Sequence, residues 1–102
     1  MQDARISDIV VPLCGRDSGR PMLVVGTSEG YLLLANGKNR RFERPKRKKR
    51  RHTEYRAPCD AWTREKLLET GRLSNNDVRK ALALYAENIG SEERGEEQNG
   101  ER

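Results

Sequence analysis

A chain of 102 residues has room for one small domain and its tails, and with 33% hydrophobic against 36% charged residues any ordered core must be small. The formal charge of +5 favours polyanionic partners. No apolar stretch approaches the roughly 18 residues of a spanning helix, and the start MQDARISD lacks the basic-then-apolar order of a signal peptide, so the expectation is a soluble cytoplasmic protein without a membrane partner.

Charge is unevenly spread. Lys38 to Arg56 holds eleven Lys and Arg against Glu43 and Glu54, whereas the flanking segments are neutral or acidic. Cys14 and Cys59 lie far apart, with no second pair or His cluster at ligand spacing, so reduced thiols are expected rather than zinc, and no cofactor is implied.

Ile6 to Phe42 reads as four short strands divided by turn residues, because apolar runs alternate with glycines and no helical period is present. The first is Asp8-Ile-Val-Val-Pro-Leu13, in which Pro12 argues for an edge position or a bulge, since proline cannot donate to a ladder. Cys14 to Gly19 turns the chain into a second strand, Pro21 to Val25, and Gly26 to Gly30 leads to a third, Tyr31 to Ala35. Asn36-Gly37 then predicts a type I′ hairpin turn, which puts the fourth strand at Asn39 to Phe42.

After Pro45 come six consecutive cations, Lys46 to Arg51, followed by His52. Their mutual repulsion predicts an extended or mobile segment unless a polyanion neutralises it. His52 has no carboxylate orienter or nucleophile in a recognisable motif, so no catalytic role is assigned to it.

Order is expected to return at Trp62 to Glu69, a short amphipathic helix closed by Gly71, with Trp62 as a packing anchor. A second helix begins at the N-cap Ser74, carries Asp77 near its positive end, and lines Val78, Ala81, Leu82, Tyr85 and Ile89 on one face. Beyond Gly90 no apolar residue anchors the tail, so disorder is expected there.

Two features point to chemistry. The basic run suits phosphates, which are bound through charge and counterion release without base contacts. The loop Gly15-Arg-Asp-Ser-Gly19-Arg20 sets two glycines four apart, where a missing side chain permits close approach to a nucleic-acid backbone; by spacing alone an ordinary turn is the favoured explanation.

The frame around those glycines adds to this. Asp8-Ile-Val-Val-Pro-Leu-Cys-Gly15-Arg-Asp-Ser-Gly19-Arg-Pro-Met-Leu-Val-Val25 resembles the KOW motif, in which an apolar strand, a glycine-bearing loop and a second apolar strand belong to a small SH3-like barrel. Asn36-Gly-Lys, Phe42-Glu-Arg-Pro-Lys and Asn76-Asp-Val-Arg-Lys-Ala-Leu82 are similar to segments of the small bacterial KOW-domain RNA-binding proteins related to eukaryotic-type large-subunit ribosomal proteins. The resemblance spans roughly residues 6 to 85 and leaves Pro12 and the acidic tail unexplained.

It implies an α+β fold with a KOW-like SH3-type barrel over residues 1–45, a basic RNA-binding linker over 46–59 and two short helices over 60–90, and composition adds a disordered acidic tail over 91–102. It further implies a monomeric, non-enzymatic RNA binder whose partner is ribosomal RNA or the large ribosomal subunit. The residues implied in contact are Gly15, Arg16, Gly19 and Arg20 in the loop, Lys38, Arg40 and Arg41 after the hairpin turn, and Lys46, Arg47, Lys48, Lys49, Arg50 and Arg51 in the run. Tyr55 is the aromatic candidate for stacking on an unpaired base, while Tyr31 and Phe42 are expected in the core. Two other classes fit the same residues: a transcription-associated KOW interaction module, and a sequence-independent binder of DNA or anionic membrane.

Overall fold

Alternation of apolar side chains across a pleated strand lets one sheet serve two cores, and this chain uses both faces. The computed structural model describes residues 3–93. Strands β1 (Asp8–Pro12), β2 (Met22–Ser28), β3 (Tyr31–Ala35), β4 (Lys46–Lys49) and β5 (Thr53–Pro58) form an antiparallel sheet of order β4-β3-β2-β1-β5. Ile9, Leu23 and Ala35 face helices α1 (Ala61–Thr70) and α2 (Asn75–Glu93), where Leu67, Leu73, Val78 and Ala81 cover them. Val10, Met22, Val24, Leu32 and Leu34 face the other way and pack with Ala4 and Tyr55. Each such Leu or Val, once fully buried, contributes roughly 1.5 to 3 kcal/mol.

The ladder ends at β4 and β5, which do not pair with each other, so the sheet is open. Yet only a single turn of 3-10 helix, Arg50–His52, joins those two edge strands. A flat five-stranded sheet would hold its edges about 19 Å apart, whereas the step from Lys49 to Thr53 covers at most about 14 Å when fully extended and less in a 3-10 turn. The sheet must therefore curl. The turn is tied to both sides: Arg50 N–H donates to Gly30 O at 3.0 Å, and Leu13 N–H donates to His52 O at 2.9 Å.

Two expectations about strands are corrected. Asn39–Phe42 is not a strand, because the Asn36 side chain captures the Lys38 and Arg40 amides at 2.9 and 3.0 Å, and Asn75 Oδ1 captures the Phe42 amide at 2.7 Å. Of the Asn36-Gly37 pair only Gly37 is left-handed, at φ 79°, so the turn is wider than a type I′ hairpin. The fourth strand forms after Pro45, from the basic run itself, and residues 46–58 are two sheet edges rather than a linker. Pro12 ends β1, which is central rather than at an edge; the strand does carry a register shift against β5, between Ile9 and Val10 rather than at Pro12, and the neighbouring ladder to β2 has already stopped at Val10.

The helices follow their end signals. Asp60 caps α1 by accepting from Thr63 N at 3.1 Å, and Gly71, at φ 73°, closes it. Ser74 and Asp77 make a reciprocal capping box at the start of α2, each accepting the other's amide at 3.0 Å. Lys66 adds a 2.7 Å bond to Asp77, and this with the Ser74 bonds holds the Asp77 carboxyl below its ordinary range. Trp62 is no packing anchor: it is 59% exposed, with Lys66 Nζ 5.1 Å above its ring. Phe42 packs half-buried against the helix-side core. Helix α2 continues past Gly90 to Glu93, and the expected disorder of the remaining tail lies outside the described residues. Among the described residues no helix is long and apolar enough to cross a membrane.

Candidate nucleic-acid interface

Four successive cations make a poor strand by propensity, so β4 exists because β3 offers it a ladder. Lys46 pairs with Leu34, Arg47 with Leu33, Lys48 with Leu32 and Lys49 with Tyr31. Lys46 and Lys48 fall on the side of the buried Leu32 and Leu34, are half-buried, and lay their aliphatic stems along the core's rim. Arg47 and Lys49 are exposed on the opposite side, where the Arg47 guanidinium sits 4.2 Å over the Tyr31 ring. Tyr31, expected in the core, is half-buried beneath that cation.

The glycine loop packs against this strand. Gly15 and Gly19 adopt φ of 90° and 81°, a region that side chains disfavour. Lys48 Nζ reaches into the loop and donates to Cys14 O at 2.9 Å. Asp17, buried in the loop, accepts from Arg40 Nε at 3.0 Å. Burial opposes its charge, but the hydrogen bond and charge of Arg40, with Asn39 and Lys46, outweigh burial and lower its pKa. A small recess is rimmed by Gly15, Arg16, Lys46 and Lys48, so loop and run, more than thirty residues apart, form one cationic surface.

The other expected contacts divide into two groups. Arg40 is spent on Asp17, and Arg41 pairs with Glu43 at 2.8 Å on the exposed surface, where Arg41 and Asn75 hold the Glu43 carboxyl down to about 2. Arg16, Gly19, Arg20 and Lys38 are exposed. Among the described residues the ion pairs within 4.0 Å engage Arg40, Arg41, Arg56 and Lys66, so none of the cations from Lys46 to Arg51 has a carboxylate partner. Arg50 instead donates to Ala4 O at 2.8 Å, and Arg51 is exposed. Tyr55 on β5 is half-buried beside both arginines.

This arrangement offers fixed positive charge on a sheet edge, a loop and a turn. Among the described residues no three His, Cys, Asp or Glu side chains gather as a metal site. Burial, with Asp60 and Asp8 nearby, pushes the Cys59 thiol up to about 11, away from nucleophilic use. The sequence reading missed two organisers, Asp17 and the Tyr31–Arg47 stack. Neither had a local signal: Asp17 meets Arg40 across 23 residues, and Arg47 reaches Tyr31 only because β4 pairs with β3. The sequence matches no protein-family model and no curated protein.

Proposed function

We propose that the protein binds RNA, as a ribosome-associated factor of the cytoplasm that contacts ribosomal RNA of the large subunit and carries out no catalysis. The observation that carries this reading is β4: Lys46 to Lys49 are built into an ordered sheet edge, have no carboxylate partner among the described residues, and are contiguous with the glycine loop and Arg50 and Arg51. A structured array of cations loses little freedom on meeting phosphates, and releases their counterions. The KOW reading is supported by the glycine-bearing loop between two apolar strands, β1 and β2. The SH3-like reading is supported by a five-stranded sheet whose edges a single 3-10 turn draws together.

Sedimentation of cell lysate through a low-salt sucrose gradient tests the proposal. The tagged protein is expected to travel with ribosomal subunits and to leave them at high salt or after nuclease treatment. Recovery at the top of the gradient at low salt, with control ribosomal proteins sedimenting normally, refutes the ribosomal assignment.

A further inference from the structure

On the helix side of the sheet, α1 and α2 cover Ile9, Leu23 and Ala35, but the corner formed by β3 and β4 lies outside that core. Tyr31 and Leu33 of β3 are half-buried there, and β4 sets Arg47 opposite Leu33 and Lys49 opposite Tyr31. The floor of the corner is apolar, because Leu33 lies over Gly26, where a Cβ would come within 3.0 Å of Leu33 Cδ1.

The cations of the basic run are held in different ways. Lys48 and Arg50 donate to the carbonyls of Cys14 and Ala4, whereas the Arg47 side chain makes neither a hydrogen bond nor an ion pair among the described residues. What holds it is a ring: its guanidinium sits 4.2 Å over Tyr31. Arg47 is nonetheless exposed, so the side of the guanidinium turned away from Tyr31 is open. A planar, weakly hydrated cation placed in this way offers two things at once, a flat face on which a base can stack and N–H edges that can meet a phosphate. Paired bases inside a duplex are stacked on one another and leave only the edges to be used. An unpaired nucleotide can use both. Lys49, on the same side of β4, has its Cα roughly 7 Å further along the strand, within reach of the adjoining phosphate.

Resting on the RNA-binding reading above, we infer that Arg47, supported by Tyr31, is the stacking platform for one unpaired base of a single-stranded RNA segment, with Lys49 on the adjoining phosphate. β4 thus distinguishes unpaired nucleotides from duplex, which charge alone does not do.

Anisotropy titration of the full chain tests this with two end-labelled probes, penta-adenylate and an abasic ribose-phosphate oligomer carrying the same number of phosphates. Penta-adenylate is expected to bind at least about fivefold more tightly, the lower end for a base on a stacking side chain. Arg47→Lys keeps the charge and gives up the plane, so it should bring that ratio close to one while the slope of log affinity against log salt stays parallel to wild type. Tyr31→Leu removes the support and keeps the guanidinium, and should lower the ratio by about twofold or more, since the platform is then no longer preorganised. A wild-type ratio near one, or a ratio that Arg47→Lys leaves unchanged, overturns the platform. If ribosomal RNA fragments still bind with a steep salt dependence in that case, the RNA-binding reading stands without it; if they do not bind, both fall.

Discussion

The two flanks of β4 are distinguishable by salt titration. Arg47 and Lys49 project from the exposed side and make no bond to the loop, whereas Lys48 is already committed to Cys14 O and Lys46 is half-buried beside it. Each phosphate of single-stranded RNA that a variant no longer neutralises reduces the slope of log affinity against log salt by about 0.7. Replacing Arg47 and Lys49 together by Gln should therefore flatten the slope by about 1.4, and replacing Lys46 and Lys48 together by only about 0.7, from Lys46 alone. Between about 50 and 200 mM salt, a slope change of 1.4 narrows the affinity gap between wild type and the first variant roughly sevenfold. The second variant loses the bond that clasps the loop, which should cost about 1 kcal/mol in urea unfolding, and the first loses the Arg47–Tyr31 stack, which should cost about 0.5 to 1 kcal/mol. Slopes are read from anisotropy with one RNA across a salt series. Identical slopes for wild type and both folded variants would put the phosphate-binding residues off β4 and refute the reasoning.

Other perturbations test the scaffold. Gly37→Ala should destabilise by about 2 to 4 kcal/mol in urea unfolding, because strain at positive φ is joined by a Cβ placed 2.5 Å from Asn75 O and 2.8 Å from Arg79 Cγ. Ser74→Ala removes one half of the capping box and should cost about 1 kcal/mol, read as a lower Tm. Folding holds the Cys59 proton more tightly than the unfolded chain does, so stability should be full below about pH 9 and decline as pH rises from 9.0 toward about 11. Cys59→Ala should decline less steeply over that window, and parallel curves would show that the thiol titrates alike in both states.

Much of the apolar framework was legible because its signals are local. β1 to β3 announce themselves as short apolar runs between glycines, and Gly71 and Ser74 mark helix ends through bonds to their own near neighbours. The fourth strand was not legible. Nothing in Lys46–Lys49 favours a strand; its cause is the vacant edge of Tyr31–Ala35, a partner eleven residues earlier. The displaced segment Asn39–Phe42 is drawn away by Asn75, on a helix that local reading cannot place beside it. β5 hid behind charge as well, although Tyr55 and Ala57 alternate with the exposed Glu54 and Arg56. For the interface, the cations were visible in the sequence, but their sorting was not. That Arg40 is occupied by Asp17, and that the loop closes on Lys48, depends on contacts between residues more than twenty positions apart.

The composition of β4 also bears on how the protein behaves in company with itself. An open sheet edge exposes backbone donors and acceptors that a second copy could pair with, the usual seed of edge-to-edge aggregation. Here one such edge is Lys-Arg-Lys-Lys, so joining two of them would press eight positive charges together. The other edge ends in Pro58, which has no amide hydrogen to offer. The residues proposed to hold a polyanion therefore also keep the molecules apart, and neutralising them by substitution should reduce solubility.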